Sequence, residues 1–72
     1  MNDSTALLML IQFVSQDRTL MPLEDLLKWH TVLGGISLLF HLNDLPEDSA
    51  RADACTALAD EEILSRMAAL QN

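Results

Sequence analysis

Residues 6–14 read ALLMLIQFV, and eight of these nine residues are apolar. A helix on the surface of a globular domain needs an apolar stripe of only about three residues in seven. In this segment apolar side chains surround the helix axis, and only Gln12 interrupts them. A chain of 72 residues has too few other residues to wrap one helix completely. We therefore expect part of this first helix to contact another molecule.

The local sequence places this helix at about residues 4–16 and predicts a second helix after it. Asn2, Asp3 and Ser4 are residue types that cap helices, and they stand directly before the apolar run. Pro22 suits the first turn of the second helix, which extends to about residue 42.

The second helix shows the clearest periodicity. Its apolar residues are spaced three and four apart along one face, as in a heptad seam. The seam residues are Leu26, Trp29, Leu33, Ile36 and Phe40. The seam keeps its phase across Gly34-Gly35, so we predict an unbroken helix in spite of the cost of two glycines, about 1 kcal/mol each.

The third helix is rich in alanine and is predicted over about residues 47–70. Asp44 followed by Glu47 resembles a capping box, with Asp in place of the usual Ser or Thr. A stripe from Ala52 to Leu70 would face the other helices, and the acidic run beginning at Asp60 could start a separate helix instead. No strand pattern is present. The sequence therefore predicts one all-α domain over 1–72, a small bundle of three helices or of four.

Composition limits the classes of function. Half of the residues are hydrophobic, yet the formal net charge is −7 with only four Lys and Arg. Four cationic side chains cannot neutralise many phosphates, and we therefore expect no direct nucleic-acid binding. For the same reason we expect no attraction to anionic membranes. No apolar stretch is long enough to cross a bilayer, and no positive segment precedes ALLMLIQFV. Cys55 is the only cysteine, which suits a reducing compartment, and we expect a cytoplasmic protein.

Few residues suggest catalysis or metal binding. His30 and His41 lie about 16 Å apart along one helix, which is too far for one metal ion. Cys55 stands among alanines and next to Asp53, where a cysteine is more often a small hydrophobic residue than a nucleophile. We predict no enzyme activity, no cofactor and no metal site.

Three groups of residues are candidates for binding. The first helix offers a dimer or partner interface, formed by Leu7, Leu10, Ile11, Phe13 and Val14. The later acidic residues offer a surface for a basic partner, or simply a solvated face: Asp44, Glu47, Asp48, Asp60, Glu61 and Glu62. Gly34 and Gly35 form a flat spot where another helix, of the same chain or of a partner, can approach closely.

These observations predict a small acidic regulatory protein that acts by protein–protein interaction, as an inhibitor, anti-activator or adaptor of bacterial or phage type. We expect a homodimer that forms chiefly through the first helix, because a small core without disulfides or metals is usually supported by a partner. A different protein could cover the first helix instead, or the chain could bury it alone. The alternatives for function are a secretion-type chaperone that shields an amphipathic client segment and an acidic mimic of nucleic acid.

Overall fold

The computed structural model describes residues 2–71, which form three α-helices and one short 3-10 turn. Helix α1 spans Asp3–Ser15, α2 spans Leu23–Leu42 and α3 spans Pro46–Gln71. The 3-10 turn, Arg18–Leu20, lies between α1 and α2. The described residues contain no strand, so the all-α prediction is confirmed, as are three helices packed together.

The helix starts follow the capping residues only in part. Asn2 caps α1 as predicted, because its side chain accepts a hydrogen bond from the Thr5 N–H at 2.8 Å. The predicted capping box at Asp44 is wrong, because α3 begins at Pro46, a residue type favoured at the first helical position. Asp44 instead follows the C-cap of α2, Asn43, and has a left-handed backbone conformation with a φ of 56°. The Leu45 N–H donates to the Phe40 carbonyl at 2.9 Å, as in a Schellman motif.

Helices α2 and α3 form an antiparallel hairpin, which is the most extensive helix pairing in the structure. Ser37 donates a hydrogen bond to Asp53, and Nε2 of His30 lies 2.7 Å from Oδ1 of Asp60. Both helices are continuous. The prediction of an unbroken α2 across the glycine pair is therefore confirmed, and no separate helix begins at Asp60.

The core lies where α1 crosses the face of this hairpin. It contains the predicted α2 seam, with Trp29 only half-buried, and the first half of the α3 stripe. The buried residues are Ala6, Leu10, Phe13, Met21, Leu26, Leu33, Ile36, Phe40, Ala52, Cys55 and Ala59. The predicted stripe fails beyond Ile63, because Met67 and Leu70 are exposed.

The dimensions of the molecule explain the failure of that stripe. The molecule measures 43 × 17 × 16 Å, and α3, with 26 residues, is about 39 Å long. Helix α1 has 13 residues and is therefore only about 20 Å long. It covers part of the hairpin and leaves the far end of α3 without a partner helix.

Candidate protein-docking groove

An open apolar groove runs between α1 and α3. It has a volume of about 690 Å³ and lies on the side of α1 that faces away from α2. We call it the α1–α3 groove. Its lining residues are Leu7, Leu10, Ile11, Val14 and Ser15 from α1, and Arg51, Ala54, Cys55 and Leu58 from α3.

The groove exists because α1 is apolar on more sides than the hairpin can cover. The buried face of α1 consists of Ala6, Leu10 and Phe13, which are spaced four and three residues apart. On the α2 side, the Phe13 ring packs against Trp29, with ring centroids 5.3 Å apart. On the opposite side, α3 presents the short side chain of Ala54, which leaves the outer part of α1 uncovered.

The five α1 residues predicted as an interface divide into two groups. Leu10 and Phe13 are buried in the chain's own core, although Leu10 also contributes to the lining of the groove. Leu7 is half-buried, whereas Ile11 is 63% and Val14 53% exposed. Of the five predicted residues, Leu7, Ile11 and Val14 therefore have the most side-chain surface available to a partner.

One end of the groove is acidic. A second cavity of about 430 Å³ adjoins it and shares the wall residue Leu58. The carboxylates of Asp17, Glu61 and Glu62 line this acidic end, together with the single guanidinium of Arg18. The lining residues of the acidic end therefore carry more negative than positive charge.

The acidic end is held in place by Arg66 and by the cap of the 3-10 turn. Arg66 lies 3.1 Å from Glu62 and donates a hydrogen bond to the Arg18 carbonyl at 3.0 Å. Asp17 accepts hydrogen bonds from the Thr19 hydroxyl at 2.6 Å and the Thr19 N–H at 3.0 Å. These hydrogen bonds lower the pKa of the Asp17 carboxyl, so it stays ionised at neutral pH.

The six acidic residues predicted as one surface lie in two places. Three of them, Asp44, Glu47 and Asp48, surround the turn between α2 and α3. The other three, Asp60, Glu61 and Glu62, lie about 18 Å further along α3. Two of the six are in ion pairs with their own chain, Asp48 with Arg51 and Glu62 with Arg66, and Asp60 contacts the imidazole of His30.

The glycine pair has no close neighbour within the chain. Gly34 and Gly35 are both exposed, and a Cβ built on either one would meet no atom within 4 Å. The flat spot predicted from sequence is therefore open on the outer face of α2 and is not used for packing inside this chain.

His30, His41 and Cys55 are the histidines and the cysteine of the chain. No group of three or more His, Cys, Asp or Glu side chains within residues 2–71 could hold a metal ion. His41 is exposed near the end of α2, and His30 pairs with Asp60. Cys55 is buried, and desolvation raises the pKa of its thiol, which disfavours the reactive thiolate.

Sequence reasoning missed three residues that define the groove and its acidic end. The sequence pattern predicts only that Ala54 and Leu58 belong to an alanine-rich helix, although both line the groove. Arg66 was not singled out. Its spacing from Glu62 indicates an ion pair, but nothing in the sequence links it to the backbone of Arg18, 48 residues earlier.

Compared with known proteins, the chain matches no protein-family model, no curated protein and no solved structure. Among the described residues, no helix combines the length and the apolar character needed to cross a membrane.

Proposed function

We propose that this chain is a small acidic regulatory protein that acts by binding another protein, as an inhibitor, anti-activator or adaptor. The α1–α3 groove supports this proposal, because it is an apolar docking surface that the chain itself leaves uncovered. Grooves of this type take an amphipathic helix that lays its apolar face between two helices.

The exposed side chains in the groove would gain free energy from a partner. Fully burying a side chain such as Ile11 or Val14 contributes about 1.5–3 kcal/mol, and both are more than half exposed. Contiguous apolar surface of this kind usually marks an interaction site. A chaperone that shields an amphipathic client segment would use the same groove, so that alternative function stays compatible with it.

Site-specific photocrosslinking in cells tests the regulatory proposal. A photoreactive residue at position 11 should form an adduct with a different protein, and Ala54→Phe, which fills the groove, should abolish that adduct. The matched control position is 8, because Leu8 is 59% exposed, close to the 63% of Ile11, but lies outside the groove lining. An adduct that survives Ala54→Phe, or no heterologous adduct at position 11, would reject the groove as the docking surface.

A second observation supports a homodimer, but through α2. The stretch from Leu26 to Asn43 contains no acidic residue, although the chain has 11 of them. On the outer face of α2, Leu27, Leu38 and Leu42 are exposed on both sides of the open glycine pair. Two copies can bring these faces together without placing their carboxylates opposite each other. We therefore place the proposed self-association on this outer face of α2.

Light scattering on purified protein tests the dimer and its location. The expected mass is about 16 kDa, twice the 8.0 kDa of one chain. Leu38→Glu should reduce the mass to that of a monomer, whereas Ile11→Glu should leave the dimer intact. The reverse result would place the contact on α1, and a monomeric wild-type protein would reject self-association.

A further inference from the structure

We infer that the occupant of the α1–α3 groove is a basic amphipathic helix of another protein. Its apolar stripe lies in the groove, and its Lys or Arg side chains lie at the acidic end lined by Asp17, Glu61 and Glu62. This inference rests on the proposed function and adds the chemistry of the partner to it.

The shape of the groove fits a helix. Both walls are helices, and the groove follows α1 from Leu7 to Ser15. That length is about 12 Å along the axis, or two helical turns, which suits anchors at positions i, i+4 and i+7. Ala54 lines the α3 wall, where its short side chain leaves room for a large apolar anchor.

The charge at the acidic end selects a basic partner. Glu62 is engaged by Arg66, and Asp17 accepts hydrogen bonds from Thr19, but both stay on the wall of the cavity. Glu61 is exposed and forms no salt bridge within residues 2–71. The guanidinium of Arg18 is the one positive charge among the lining residues, so a Lys or Arg that enters beside Leu58 still meets three carboxylates against one cation. Such complementarity favours a basic partner and accelerates its association.

The same charges disfavour a second copy of this chain as the occupant. Each copy has a net charge of −7 and only four Lys or Arg residues. Three of these four are in ion pairs with acids of their own chain: Lys28, Arg51 and Arg66. A second copy would therefore bring carboxylates, and few available cations, towards the acidic end of the groove.

The experiment measures the binding of three labelled 18-residue synthetic peptides by fluorescence anisotropy. The basic amphipathic peptide has leucines at i, i+4 and i+7 and lysines beside the stripe. The acidic peptide replaces each lysine with glutamate, and the polar peptide replaces each leucine with serine. We expect only the basic amphipathic peptide to bind well, at least tenfold more tightly than the other two.

Variants of the protein locate the bound peptide. Ile11→Glu and the uncharged Ala54→Phe should each weaken binding at least tenfold, whereas Leu8→Glu, on the exposed side of α1 outside the groove lining, should leave it unchanged. Glu61→Gln should weaken the binding of the basic peptide by about two- to fivefold, as expected for one exposed ion pair, and should not weaken the binding of the acidic peptide, because it removes a repulsive charge. Circular dichroism checks that each variant is folded.

The outcomes separate this inference from the proposed function. If the basic and acidic peptides bind equally and Ala54→Phe weakens both, the groove is a docking surface but the inferred basic partner is wrong. If the polar peptide binds as well as the basic amphipathic one, the binding is only electrostatic and the inference fails. If no peptide binds, and the protein instead forms a dimer that Ala54→Phe disrupts, the occupant of the groove is a second copy of the chain. That result also overturns the inference.

Discussion

Replacing both exposed glycines of α2 with alanine, Gly34→Ala and Gly35→Ala, should stabilise the folded chain. Neither glycine has a positive φ, and an added Cβ would meet no atom within 4 Å at either position. Alanine therefore fits the native backbone without strain. It also reduces the conformational freedom of the unfolded chain, which is the main source of the stabilisation.

The magnitude follows from helix propensity. Each glycine in a helix interior costs about 0.8–1 kcal/mol relative to alanine, so the double variant should gain about 1.5–2 kcal/mol in free energy of unfolding. For a domain of this size, 1 kcal/mol corresponds to about 4–8 °C in Tm. We therefore expect the Tm to rise by about 6–16 °C.

Urea and thermal unfolding followed by circular dichroism at 222 nm would measure this gain. The protein concentration must be low enough for a monomer, because self-association also raises the apparent stability. The matched control is Ala57→Gly, at an exposed position of α3, which should lose about 1 kcal/mol by the same effect. If the double variant is less stable than the wild-type protein while Ala57→Gly loses stability as expected, the added methyl groups must meet an obstruction. That result would refute the argument that the space beside Gly34 and Gly35 is open.

Three further predictions concern the core, the acidic end and the thiol. Phe13→Ala should cost about 3–5 kcal/mol and leave the chain largely unfolded by circular dichroism, because Phe13 is fully buried in a core of similar total stability. Leu8→Ala, on the exposed side of the same helix, should change the free energy of unfolding by about 0.5 kcal/mol or less, and equal losses would contradict the assigned orientation of α1. Arg66→Met should lose about 1–2 kcal/mol in urea unfolding, because the guanidinium joins Glu62 to the backbone of the 3-10 turn; a neutral result would show that this link contributes nothing. Cys55 should react with a thiol reagent more slowly than a free cysteine at pH 8, because its pKa is raised by desolvation, and urea should remove the difference. Since its pKa is higher in the folded state, any stability linked to this thiol is present below the unfolded pKa, near 9, and is lost as the pH rises above it. Rapid labelling in the native state would contradict the burial of Cys55.

The positions of the helices could be predicted from the local sequence, because apolar periodicity and helix capping depend on residues that are close together in the chain. The α2 seam kept its phase across two glycines, and four of its five residues are buried. The prediction of a capping box at Asp44 was wrong because it also used only the neighbouring residues. Asp44 is acceptable both as a cap and in a left-handed conformation, and only the path of the chain between α2 and α3 selects the second role.

The candidate site was predicted less well. The sequence showed that α1 is apolar on every side, but it contains no information about which side the hairpin covers. Leu10 and Phe13 therefore seemed equivalent to Ile11 and Val14, although the first two are buried and the last two are exposed. The wall formed by Ala54 and Leu58 depends on the position of α3, and the acidic end depends on Arg66, which contacts a turn 48 residues away.

The sequence by itself therefore determined the fold class, the helix bounds to within a residue or two and the excess of apolar surface on a small acidic chain. These properties follow from residue spacing, caps and composition, which act locally or add up over the chain. Only the tertiary structure decided where that excess surface lies, because exposure depends on which helices pack together. A helix of about 20 Å laid across a hairpin of about 39 Å buries one of its faces and leaves the other in an open groove.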